Sequence, residues 1–230
     1  MANKEKIIIT GSNGVIGQIL KSGLGEEYQI TGLDLPDGDV RRYETLANVV
    51  SGHSAIIHLA WDTQTDNFLS EKINPENSQM FFNVYKAALE NGVKRVIVAS
   101  SVHADRFYEW KGPGYMSPYQ LPNPDSPYGA HKVFMESLGR WFASKGLEVV
   151  CIRFGGITPV NKANKNHLPE RATFLSQRDG VALIRSIFKA ESVPNNFVIV
   201  YGVSNSDNRI HDITNPFGWI SQDKAEDFLD

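Results

Sequence analysis

The first strong pattern in the chain is a short apolar run, "KIIIT" at 6–10, with three isoleucines in a row. An uninterrupted β-branched run of this length predicts a strand covered on both faces. "YQITGLDL" (28–35), "SAIIHLA" (54–60), "KRVIVASS" (94–101), "LEVVCIRFG" (147–155) and "NFVIVYG" (196–202) read the same way. Between them, "VIGQILKSGL" (15–24), "YETLANVV" (43–50) and "NSQMFFNVYKAALENG" (77–92) space their apolar residues as helices do, the last ending on a glycine stop. Strands alternating with helices predict an α/β chain whose parallel sheet is wound on both sides.

Two long connections interrupt this rhythm. Residues 104–125 are rich in Tyr, Trp, Pro and Gly, and residues 156–171 are polar and basic. Loops this long in a compact domain are usually functional or disordered, and aromatic content argues for order in the first. Residues 1–230 read as one domain, with cap elements at about 156–180 and 203–230.

Composition adds exclusions. A net charge of -3 and 21% charged residues point to no nucleic-acid or anionic-membrane partner. The single cysteine, Cys151, excludes an internal disulfide and favours a reducing compartment. The opening "MANKEKIIITG" lacks the apolar stretch of a signal peptide, and no run approaches a membrane span. A cytoplasmic location is expected. No metal site is expected.

The chemistry starts at the first turn. Gly11, Gly14 and Gly17 are spaced G-x-x-G-x-x-G between the first strand and the first helix, with Asn13, Val15 and Ile16 among them. This is the context in which backbone N–H groups at a helix start receive a pyrophosphate, as in a Rossmann-type sheet. Asp34, ending the second strand, is placed to accept hydrogen bonds from ribose hydroxyls. That favours NAD over NADP, with Arg41 and Arg42 nearby as the reservation. Further on, "DSPYGAHK" (125–132) sets Tyr128 and Lys132 one helical turn apart, after a proline suited to a helix start.

"TGSNGVIG", "HLAW", "ASS" and "YGAHK" occur in the order found in the extended short-chain dehydrogenase/reductase superfamily, which the chain resembles over nearly its whole length. The resemblance implies catalysis by Ser101, Tyr128 and Lys132, Tyr128 exchanging the substrate proton while Lys132 favours its phenolate. It further implies cofactor contacts at Asp39, Val40, Leu59, Ala60 and Asn77. Asn77 is equally readable as a plain helix cap. The superfamily often pairs through the tyrosine helix and the helix before it, so a homodimer or larger homo-oligomer is expected. Met80, Phe81, Tyr85, Val133, Phe134 and Trp141 are available either for that interface or for burial on the sheet.

"ASSVHA", "CIRFGGITP", "TFLSQRDGVALIRSIFKA" and "NPFGWISQDKAEDF" bring the chain closest to uronate dehydrogenases, which oxidise C1 of a hexuronate. By that likeness Thr63, Ser101, Val102, His103 and Arg171 would meet the sugar. The chain departs from the pattern where an asparagine becomes Val102, a serine becomes Gly156, and the carboxylate-binding arginine becomes Pro169, two residues before Arg171. The expected activity is NAD-dependent oxidation of a sugar or sugar acid. An epimerase or dehydratase that retains its NAD is the alternative, and a non-catalytic NAD sensor ranks last.

Overall fold

The computed structural model describes residues 4–230; the first three residues of the opening segment lie outside it. Six strands form one parallel sheet: β1 (Lys6–Thr10), β2 (Gln29–Leu33), β3 (Ala55–His58), β4 (Arg95–Ser101), β5 (Glu148–Phe154) and β6 (Phe197–Gly202). Their order across the sheet is β2-β1-β3-β4-β5-β6, every neighbour parallel. The helices are α1 (Val15–Leu24), α2 (Tyr43–Ala47), α3 (Pro75–Glu90), α4 (Pro127–Ala143), α5 (Leu168–Ala172) and α6 (Gln177–Lys189). The doubly wound Rossmann-type reading is therefore correct.

Strand periodicity divides the core in two. Ile8, Ile56, Val96 and Val98 face α3 and α4, packing on Phe81, Val84, Tyr85 and Met135. Ile7, Ile9, Ile57 and Ile97 face the other way, onto Leu20 and Leu24 of α1 and Val181, Ile184 and Ile187 of α6. All three isoleucines of β1 are fully buried, as a strand sandwiched between helices requires. Met80, Phe81 and Tyr85 are spent on this core, whereas Phe134 and Trp141 stay exposed and Val133 is half-buried.

Two expectations change in detail. The third helix begins at Pro75, capped by Asn74, whose side chain accepts from the Glu76 N–H at 3.0 Å. Asn77 thus lies inside the helix and is not its cap. The two long connections also carry structure: short 3-10 turns at Val102–Ala104 and Phe107–Glu109, and α5 within the second. Among the described residues, no helix is long and apolar enough to cross a membrane.

Candidate active site

The carboxyl ends of the strands open into one cleft of about 1510 Å³, at the point where β1 and β3 send the chain to opposite sides of the sheet. The glycine turn forms one end. Gly11 has φ +67°, and a Cβ there would lie 2.7 Å from the Ala60 backbone nitrogen, so both conformation and crowding demand glycine. Gly14 caps α1 with no side chain bonded to the first helical N–H groups. Those donors and the positive helix end are left facing the cleft, a setting that suits a pyrophosphate. Val15, Ile16 and Gly17 line the same end, with Leu59 and Ala60 opposite.

Asp34 stands at the rim. Its carboxylate accepts from the Asn13 N–H at 2.7 Å and from the Leu35 N–H at 2.9 Å, tying the glycine turn to the end of β2. Arg41, the arginine that lines this end, is already engaged. It makes two bonds to Asp39, at 2.8 and 2.9 Å, and one to Glu76 at 2.9 Å. Arg42 is not part of the cleft lining and lies 3.8 Å from Asp39. A phosphate on the ribose would meet these carboxylates and no uncommitted arginine among the described lining residues.

At the other end, β4 delivers two serines that part ways, as neighbours on a strand do. Ser100 spends its hydroxyl on Glu136 of α4, donating at 2.5 Å. Ser101 accepts from the His103 N–H at 3.2 Å, and its hydroxyl lies on the Tyr128 side, where it lowers the phenol's pKa. The geometry thus brings Ser101, not Ser100, to the tyrosine. The start of α4 is pressed against the following turn: a Cβ at Gly129 would lie 2.0 Å from the His103 carbonyl oxygen. Ser126 caps this helix, accepting from Gly129 N–H at 3.1 Å, with Pro127 in its first turn. Tyr128 and Lys132 therefore stand on a rigid element.

Lys132 is buried. Its ammonium donates to the Ala99 carbonyl at 2.9 Å and sits 3.5 Å over the Trp61 ring, but 5.5 Å from the Tyr128 ring centroid. Burial pulls its pKa down to about 7, against the opposing attraction of Asp66 and Glu136. Burial pushes the Tyr128 phenol up to about 12; the Ser101 hydrogen bond opposes this, while Asp66 and Asp125 reinforce it. In the cofactor-free protein the expected lowering of Tyr128 by Lys132 is not seen: burial raises the phenol instead.

His103 completes this end. Its Nδ1 is 2.6 Å from Asp125, which fixes the ring, and Phe68 stacks on its face at 4.4 Å. The wall behind is buttressed by Asp66, fully buried, which accepts from Asn77 at 3.1 Å and Asn74 N–H at 3.2 Å and lies 2.7 Å from His131 Nδ1. Below the floor, fully buried Arg153 holds Glu136 through two bonds of 2.8 Å and also pairs with Asp105.

Most residues expected from the sequence meet in the cleft: Gly11, Gly14, Val15, Ile16, Gly17, Asp34, Asp39, Val40, Leu59, Ala60, Thr63, Ser101, Val102, His103, Tyr128 and Lys132. Three do not line it. Asn13 turns its side chain to Lys21, 3.3 Å away. Asn77 is consumed by the Asp62 N–H at 2.8 Å and by Asp66. Arg171, in the last turn of α5, is not among the lining residues, and its buried Nε has no partner among the described residues, while Pro169 and Glu170 form that wall. The sequence reading missed Trp61, Asp125, Glu136, Arg153 and Glu170. Two of these left a visible signal: Glu136 follows Lys132 at helical spacing, and Arg153 is a lone charge inside an apolar strand.

Similar proteins agree with this architecture. The chain is 29% identical to L-arabinose 1-dehydrogenase (NAD(P)(+)) of Haloferax volcanii, over 91% of this chain and 92% of that one. It is 28% identical to the NAD-dependent glucose-6-phosphate dehydrogenase of the same organism, over 97% and 95%. It is 29% identical to uronate dehydrogenase of Agrobacterium fabrum, over 97% and 87%. The solved uronate dehydrogenase of Agrobacterium tumefaciens superposes with a TM-score of 0.83 at 27% identity, covering 97% of this chain and 86% of that one. Residues 7–174 match the model of the NAD dependent epimerase/dehydratase family, and with a glycine turn, a rim acid and a Ser–Tyr–Lys set sharing one cleft, the chain belongs to that family.

Proposed function

We propose that the protein is an NAD-dependent sugar dehydrogenase that oxidises its substrate at C1. The observation that carries this reading is the meeting of Ser101, Tyr128 and Lys132 at one end of a cleft whose other end is the glycine turn. Gly11, Gly14 and the start of α1 would hold the pyrophosphate, and Asp34 the ribose, with Arg41 engaged by carboxylates in a way that favours NAD over NADP. Bound NAD supplies the hydride acceptor. Ser101 holds the C1 hydroxyl oxygen, and Tyr128 Oη takes its proton as the hydride leaves the carbon. Lys132, one helical turn on and 5.5 Å from the Tyr128 ring, is placed to supply positive charge toward that phenolate while it holds its proton. A ring-form sugar so oxidised becomes a lactone. The named dehydrogenase relatives support an oxidoreductase over an epimerase.

NADH absorbance with a panel of aldoses and sugar acids tests this. Turnover that disappears in Tyr128→Phe is expected. Epimerised sugar with no NADH and a retained cofactor would overturn it. The exposed Phe82, Phe134 and Trp141 on α3 and α4 support pairing with a second copy, which light scattering checks. The lone, buried, free Cys151 suits a cytoplasmic setting.

A further inference from the structure

We infer that the substrate end of the cleft selects an uncharged sugar and disfavours sugar acids and sugar phosphates. This deepens the dehydrogenase reading and rests on it.

Charge on the cleft wall is the basis. Among the described lining residues the arginines and lysines are Arg41 and Lys132 alone. Arg41 lies at the ribose end and is bonded to Asp39 and Glu76. Lys132 is buried in the floor, committed to the Ala99 carbonyl and the Trp61 ring. The two histidines of the lining are engaged within the protein: His103 Nδ1 lies 2.6 Å from Asp125, and His167 Nδ1 accepts from the Glu170 N–H at 3.2 Å.

Carboxylates, by contrast, are present at the substrate end. Asp62 lines the cleft and is held below the usual carboxylate range, chiefly by the Asn74 amide. Glu170 lines it from the first turn of α5, its carboxylate 4.0 Å from His167. Backbone bonds link the segment carrying Glu170 to the strand end that follows β5, beside Ser101. Ser101 pairs in register with Phe154, Gly156 N–H donates to the Thr173 carbonyl at 2.9 Å, and Thr173 N–H donates to the Glu170 carbonyl at 3.3 Å. Gly156 itself leaves open space, since a Cβ there would meet nothing within 4 Å. An anionic substituent pointed at this wall meets a like charge and finds no arginine fork to neutralise it. The hydroxyls of an uncharged aldose can instead donate to Glu170 and to the neighbouring loop carbonyls.

The test compares kcat/KM for arabinose, xylose, glucose and galactose with that for glucuronate, galacturonate and glucose 6-phosphate, all with NAD. The best uncharged sugar is expected to exceed every anionic one by about tenfold or more, equivalent to about 1.4 kcal/mol. Raising ionic strength is expected to raise kcat/KM for the anions several-fold while leaving the aldoses nearly unchanged, because salt screens the repulsion. Glu170→Gln is expected to raise the anion-to-aldose ratio about fivefold. An anion turned over as well as the best aldose, with no salt response, overturns the inference and leaves the dehydrogenase reading intact. So does anion turnover that is lost in Arg171→Gln, because Arg171 would then reach the substrate. No NADH from any sugar, charged or uncharged, defeats the dehydrogenase reading itself.

Discussion

Replacing Lys132 by methionine separates what this residue does for the reaction from what it costs the fold. The side chain is 3% exposed, and burial pulls its pKa from 10.5 to about 7 despite Asp66 and Glu136. In the unfolded chain the proton is held up to about 10.5. Below pH 7 both states carry it, and the native state bears the whole cost of a buried ammonium. Between pH 7 and 10.5 the native state has released the proton and the unfolded state has not, so stability rises with pH. At about 1.36 kcal/mol per pH unit, the full cost is about 5 kcal/mol at most. Methionine is of similar length and uncharged, but it leaves the Ala99 carbonyl without its 2.9 Å donor. That loss costs about 1–3 kcal/mol. Lys132→Met is therefore expected to stabilise the cofactor-free protein by about 2–3 kcal/mol at pH 6 and to destabilise it by about 1 kcal/mol or more at pH 10, while abolishing turnover. Urea unfolding at pH 6, 8 and 10, followed by tryptophan fluorescence, measures the difference. A variant less stable than the parent at pH 6, or a difference of one sign throughout, would refute the reasoning: the ammonium would then be well solvated or fully paired.

Other expectations follow from the same geometry. Tyr128→Phe should lower kcat by about 10²–10⁴-fold with little change in NAD affinity, as measured by NADH formation and a fluorescence titration. Because the Tyr128 phenol is pushed up to about 12 and must lose its proton to act as a base, kcat/KM for oxidation should rise as pH increases from 6. A flat profile from pH 6 to 10 contradicts that role. Asp34→Asn should weaken NAD binding about tenfold, through loss of charge-assisted bonds to ribose and to the Asn13 N–H; an unchanged dissociation constant counts against Asp34 as the ribose acceptor. Arg153→Met should destabilise the fold by about 3–5 kcal/mol, since it strands Glu136 and Asp105 as buried carboxylates; thermal unfolding showing a loss under 1 kcal/mol contradicts this.

Much of this was readable without coordinates, because the physics involved is local. Three consecutive isoleucines need cover on both faces, and "KIIIT" at 6–10 is β1. A glycine turn between that run and a helix needs few long-range contacts to be recognised, and Gly11 indeed adopts a left-handed φ. Tyr128 and Lys132 are one turn apart on α4 wherever that helix sits. The side on which a side chain is spent depends on partners distant in sequence. Ser100 and Ser101 are adjacent hydroxyls, and only Glu136 on α4 decides which one is sequestered. Asn77 has the composition of a cap or a site residue, yet it is consumed by Asp62 and Asp66. Arg41 looks like a phosphate ligand until Glu76 arrives from α3. Arg171 and Glu170 are neighbours in the chain, but the short helix α5 brings Glu170 to the cleft and leaves Arg171 outside its lining. Local backbone pattern therefore set the sheet, the phosphate turn and the acid/base pair. The tertiary arrangement decided the charge in the cleft, because partners such as Glu76 for Arg41 and Glu136 for Ser100 are far away in sequence.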